Sequence, residues 1–239
     1  MGRLRHAMSA NEKALVESLI ERTETFSKST VLLERGQLTD QSTMLIDGYL
    51  LRSIHEEGQR YVVGLHVPGD FADLHAYALK RLDHDLVTMG ETTVGYVSHA
   101  HIERVVADHP HLARLLWFST LLDGAIHREW ILKLEQLTAA RRAAHIFAEL
   151  WQRLDQVGLG RRDGVRTPLT QTDLADMCGT TPIHMNRALG QLKKEGVAEF
   201  RRGTVYISDR AALERFAGFK PDYLYGQGPL RVGDELSGP

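Results

Sequence analysis

The segment "TTPIHMNRALGQLKKEG", residues 180–196, carries side chains of the types that read base-pair edges. Arg187 can donate two parallel hydrogen bonds to guanine O6 and N7, and Asn186 can bond the N6/N7 edge of adenine. His184 suits a base or a phosphate. Around them stand Thr170, Thr181, Gln191, Lys193, Lys194, Arg201 and Arg202, donors suited to phosphate oxygens, which fix position rather than sequence.

Such chemistry needs a rigid frame, and the flanking residues specify one. Thr170 precedes "QTDLADM" with Asp173 three residues on, a capping arrangement that starts a short helix with Leu174 and Met177 facing inward. Cys178-Gly179 breaks that helix, because Gly179 can take the positive φ of a tight turn. Thr181 then caps a second helix with Pro182 at its first position, where a missing N–H costs nothing. Met185, Leu189 and Leu192 form its buried stripe, which leaves Ile183, His184, Asn186, Arg187 and Gln191 on the other side. "VAEFRRGTVYISD" follows as a hairpin turning at Arg202-Gly203. Helix, glycine turn, capped helix and hairpin make a winged helix-turn-helix, whose second helix enters the major groove of double-stranded DNA.

The charge distribution agrees. Residues 139–220 hold 14 Lys+Arg against 9 Asp+Glu, and the remainder 15 against 22. A basic module on an acidic body is the asymmetry expected where only one part meets phosphate.

Upstream, residues 11–23 read as a short helix. Residues 29–98 change to short β-like runs, among them "TVLLERG", "TMLIDG" and "TTVGYVS", and "YLLRSIHEEGQRYVVGLHV" is a hairpin turning at Glu57-Gly58. Several short strands with glycine-bearing turns argue for a small barrel or roll; "DFADLHAYALKRL" is more helical. A long helical pattern runs from "HPH" to about Leu137. Leu115, Phe118, Leu122, Ala125 and Leu132 form one of its stripes and Leu112, Leu116, Ile126, Trp130 and Leu134 another. A helix apolar on two faces buries one in its own domain and the other, most economically, in a second copy of itself. The first stripe is assigned to that dimer contact. A further helix, "AARRAAHIFAELWQRLDQVG", ends at Gly158, "GRRDGVRTP" is a loop, and "GQGPLRVGDELSGP" is a disordered tail. The expected organisation is α+β: a β-roll sensor domain (1–110), a dimerisation helix (111–138), a winged helix-turn-helix domain (139–225) and the tail (226–239). The N-terminus lacks a signal-peptide core and no apolar run approaches the ~18 residues of a membrane span, so a cytoplasmic location with no membrane partner is expected.

This order of parts resembles the cyclic-AMP receptor protein and fumarate–nitrate regulator (CRP/FNR) superfamily. The resemblance runs over about residues 10–225 and is carried by "IDGYLLRS", "VPGDF", "AAHIFAELWQRL" and "LTQTDLADMCGTTPIHMNRALGQLKKEG". It implies a homodimeric transcription regulator with a cyclic-nucleotide-binding-like roll, an operator of two half-sites about one helical turn apart, and RNA polymerase as a partner if it activates. Arg187 matches the family's base-reading arginine. Ile183 stands where many members place a base-reading glutamate; it cannot accept from cytosine N4 but can pack on a thymine methyl, so the half-site should differ.

The family's occupants of the roll leave different residues, and several are missing. Cyclic nucleotide binding uses a Gly-Glu pair after "PGD" and a later Arg-Ser pair. The effector-pocket positions here hold Ala72-Asp73-Leu74 and His84-Asp85, which puts carboxylates where a phosphate would need arginine. That argues against cyclic AMP in the usual mode. One cysteine, Cys178, argues against an iron–sulfur cluster. Haem remains open through His66, His75 and His84, and the effector stays unassigned. Cys178 suits a small buried residue of the helix turn, with a redox switch as the alternative. No nucleophile–base motif, P-loop or metalloprotease helix points to an enzyme. The competing function is a cyclic-nucleotide-type or haem-type sensor module acting through a protein partner.

Overall fold

A computed structural model of the chain describes residues 2–225; the tail expected to be disordered lies outside them. After a 3₁₀ turn, helix α1 (Ala10–Ser18) opens with a capping box between Ser9 and Glu12. It stops before the end the apolar spacing suggested. Arg22–Phe26 is strand β1, paired antiparallel with the distant β7 (Thr92–Ser98), a tertiary partner that overrides local helix periodicity. The roll is completed by β2 (Val31–Leu33), β3 (Gln41–Asp47), β4 (Leu50–Glu56), β5 (Gln59–His66) and β6 (Asp85–Thr88), arranged as two antiparallel sheets, β1-β7-β3 and β2-β6-β4-β5. Glu57 and Gly58 both have positive φ (52° and 78°), the backbone of a type I′ turn, and they close the β4–β5 hairpin where the sequence placed it. Of "DFADLHAYALKRL", only Ala76–Leu79 is helical (α2); the preceding residues are held by the roll instead.

Helix α3 (His99–Asp108) leads through His109 into α4 (Pro110–Gln136), a helix of 27 residues. Leu112, Leu115, Leu116, Leu122, Ala125 and Ile126 are buried, several of them packed with Leu19, Phe71, Val97 and Ile102 of the roll and its helices. Most of the expected dimer stripe is therefore covered within the protomer. Leu115, Leu122 and Ala125 are covered within the chain and Phe118 is half-buried, which leaves Leu132 alone of that set exposed. The open face is instead Trp117, Leu121 and Ile131, at 66, 54 and 63% exposure, with Gly124 and Arg128 filling the 4-3-4-3 spacing of one helical seam. Apolar residues occur on three sides of α4, and periodicity alone cannot say which side the roll takes. Among the described residues, no helix is long and apolar enough to cross a membrane.

Helix α5 (Ala139–Gln156) begins the C-terminal module and buries Phe147, Leu150, Trp151 and Leu154 against it. Strand β8 (Gly164–Arg166) follows, within the stretch read as a loop. Its three residues pair with β10 (Thr204–Tyr206), which also pairs with β9 (Glu199–Arg201), so the wing is three-stranded. Between them lie α6 (Gln171–Met177) and α7 (Pro182–Lys194), and α8 (Arg210–Ala217) closes the module over α5.

Roll and module are joined by charged contacts. Arg60 of the β4–β5 hairpin bonds Asp173 and Asp176 of α6, at 2.5 and 2.8 Å. Arg153 of α5, wholly buried, reaches Asp70 at the end of the "PGD" turn at 2.8 Å.

Candidate nucleic-acid interface and sensor region

The local chemistry of the helix-turn-helix is as its residues dictate. Thr170 Oγ1 accepts from the Asp173 backbone N–H at 3.1 Å, and Asp173 Oδ2 accepts from that of Thr170 at 2.8 Å, which satisfies two orphan donors of α6. Gly179 takes φ 56° in the turn. Thr181 Oγ1 accepts from the His184 N–H at 3.3 Å and lies 3.1 Å from His184 Nδ1, so the cap also orients that ring. Met185, Leu189 and Leu192 are buried together with Leu174 and Met177. Ile183, His184, Asn186, Arg187 and Gln191 all point to solvent.

The donors expected at phosphates divide into two groups. Glu199 is paired to Lys193 at 2.5 Å and also to Arg201; the arginine first, then the lysine, hold its carboxyl down at about 2. Gln191 donates to Glu195 at 2.8 Å, and the hydroxyls of Thr170 and Thr181 are engaged in capping. Among the described residues, no ion pair engages Arg187, Lys194 or Arg202, and all three are exposed. Arg202 (φ 46°) and Gly203 (φ 78°) form the wing's tip, where the sequence put its turn.

Cys178 is wholly buried behind the turn, and burial pushes its thiol up to about 12. At pH 8 the buried thiol is held in its unreactive protonated form. The native chain is expected to resist a thiol-reactive disulfide dye at pH 8 and to react on unfolding. Rapid stoichiometric labelling of the folded chain would contradict this placement and revive a redox role.

In the roll, Asp73 is wholly buried and accepts from Thr43 N (2.5 Å) and Thr43 Oγ1 (3.0 Å); burial raises its carboxyl to about 6 against those bonds. Leu74 belongs to the core beneath α4. Asp85 accepts from the Arg35 N–H at 2.8 Å and pairs with His55 at 3.1 Å. His84 is buried and bonds Asp83 at 2.7 Å. Both carboxylates are thus engaged by the protein itself.

One residue that sequence reasoning missed is Arg52. It projects from β4 into the roll, buried, with Nε donating to the Ala72 carbonyl at 2.9 Å and Nη1 pairing with Asp123 of α4. Burial opposes ionisation of Asp123, and Arg52 overcomes it, holding the carboxyl well below the usual range. The signal was an arginine inside the apolar run "YLLRSI"; its partner lies 71 residues on. Arg52 also acts, after burial, to lower His66 and His75, each to about 4. The cavity lined by His66, Asp70, Phe71, Leu122 and Asp123 measures about 20 Å³, room for one water. A cavity of that size beside His66 does not admit a porphyrin. A larger crevice of about 700 Å³ lies elsewhere, between α1, β3 and the end of α5.

Residues 141–216 match the family described as Crp-like helix-turn-helix domain. The chain is 25% identical over 211 residues to the nitrogen fixation regulation protein FixK of Bradyrhizobium diazoefficiens, with 88% of each covered. It is 28% identical over 171 residues to the transcriptional activator protein FnrL of Cereibacter sphaeroides, covering 70% of this chain and 68% of that one. The fold is similar to the structure of FixK2 from Bradyrhizobium japonicum, with a TM-score of 0.71 at 20% identity over 82% of this chain and 96% of that one. Residues 141–216 are thus a Crp-like helix-turn-helix domain, and the chain, with its β-sheet N-terminal half, long helix and winged C-terminal module, is similar over most of its length to regulators of the CRP/FNR family.

Proposed function

We propose that the chain is a homodimeric, sequence-specific operator-binding regulator, governed by a signal received in the N-terminal roll and not by cyclic AMP in the usual mode. The observation that carries this reading is the exposed first half of α7, where a capped helix presents Ile183, His184, Asn186 and Arg187 from a rigid, buried base. Arg187 reads a guanine, Asn186 an adenine, and Ile183 packs on a thymine methyl. Lys194 and Arg202, in no ion pair among the described residues, lead the phosphate contacts; Lys193 and Arg201 exchange Glu199 for phosphate on binding. Members of the family typically dimerise, and the seam of Trp117, Leu121 and Ile131 supplies the surface for it. The sensor domain (1–110), dimer helix (111–138) and DNA module (139–225) then act as one lever. Arg52–Asp123 ties the roll to the lever arm, and Arg60 ties it to the cap of α6.

The test is selection of duplexes from a randomised pool by the wild-type chain, followed by binding of the best operator and its single-base variants. Arg187→Ala is expected to lose about 1–3 kcal/mol on that operator and to become indifferent to one base pair per half-site. A variant that keeps full affinity and the same preference at every position would overturn the assignment.

A further inference from the structure

One cluster of side chains is absorbed by neither DNA reading nor dimerisation. His75 stands at the start of α2, and Asp83-His84 leads into β6, so two connections meet at one end of the roll. Each of the three residues offers one ligand atom, and these atoms lie within 4.8 Å of one another. The two imidazole rings are 5.6 Å apart between centroids and tilted by 44°, which leaves their edges free to converge. His84 is only 5% exposed; its Nδ1 bonds Asp83, while its buried Nε2 has no partner among the described residues. A buried polar atom without a partner calls for an explanation, and a bound cation is one that fits a ring nitrogen.

We propose that His75, Asp83 and His84 bind one borderline divalent transition-metal ion, with zinc as the type. Two imidazoles and a carboxylate suit zinc, cobalt, nickel or copper; magnesium and calcium take oxygen donors. Asp83 holds the opposite ring nitrogen of His84, Nδ1, at 2.7 Å, and its mostly exposed side chain is free to swing from there to an ion on Nε2. Three protein donors leave a fourth position for water or a small anion. The nearby charge of Arg52 is already met by Asp123 and the Ala72 carbonyl. The site does not depend on how the C-terminal module is used.

The test uses the full-length chain, stripped with a chelator and titrated with Zn²⁺ against a chromophoric competitor, with Co²⁺ as a spectroscopic probe. One equivalent of Zn²⁺ is expected to bind, and Co²⁺ to develop visible d–d bands. His75→Ala and His84→Ala should each weaken that equivalent by more than about 100-fold, beyond the usual effect of an outer-shell change. Replacing the exposed His109 by alanine should leave it intact. Because His84 is buried, Asp83→Asn serves as the variant that leaves the core untouched; it should weaken binding at least about tenfold with an unchanged circular dichroism spectrum. Zinc affinity that survives all three ligand substitutions, or no tightly bound equivalent in the wild-type chain, would overturn the site.

Discussion

Replacing Arg153 with alanine is expected to lower the unfolding free energy by about 3–5 kcal/mol, the penalty of leaving buried carboxylates without their cation. Arg153 is 1% exposed, with Asp70 at 2.8 Å on one nitrogen and Glu149 at 3.1 Å on the other. Glu149 is also the acceptor for Trp130 Nε1 (3.0 Å) and Tyr223 Oη (2.6 Å), so the guanidinium anchors a network joining α4, α5 and the turn after α8. Asp70 belongs to the roll, and the same substitution therefore unties the two halves of the chain. Urea unfolding of the variant, followed by both fluorescence and circular dichroism, reads the loss. A variant within about 1 kcal/mol of wild type would mean that Arg153 is not the joint described here, since that is the range of an exposed pair.

The second large effect concerns the open seam of α4. If α4 pairs through this seam as proposed, Leu121→Glu combined with Ile131→Glu places like charges across it and is expected to convert the chain to monomer in sedimentation. Operator affinity should fall about 10²–10⁴-fold, because the second half-site is no longer delivered by an attached partner. Both positions are more than half exposed in the protomer, so the fold should be unaffected. Leu115→Ala is the contrasting variant. Leu115 is wholly buried, and its truncation should cost about 2–5 kcal/mol of stability while leaving self-association intact. If the Leu115 change dissociated the protein and the seam changes did not, the assignment of faces would be reversed.

That contrast marks where the sequence stopped being legible. The helix-turn-helix could be read residue by residue because its signals are local: Thr170 with Asp173, Gly179, Thr181 with Pro182, and Arg202-Gly203 each act within four residues of themselves. The Glu57-Gly58 hairpin was legible for the same reason. Strand β1 was not, since "RTETF" becomes a strand only against β7, some 70 residues away. Strand β8 likewise needs β10. On α4, apolar residues on several faces hid which stripe the roll covers. In the sensor region, the motif positions Asp73 and Asp85 were found, but their engagement by Thr43 and Arg35 was not. Arg52 and Arg60 were passed over because a charged residue in a strand acquires meaning only from partners such as Asp123 and Asp173, which folding brings to it.

The central claim, that the exposed face of α7 and its basic flanks read a specific duplex, is tested most directly by a salt titration of operator binding. The full-length chain would be titrated onto the selected operator and onto a scrambled duplex between 50 and 200 mM salt. Affinity is expected to fall by about 10³-fold or more across that range, as phosphate contacts on two half-sites release counterions. At each salt concentration the operator should be preferred by at least about 10³-fold. Equal affinity for the two duplexes, or binding insensitive to salt, would contradict it.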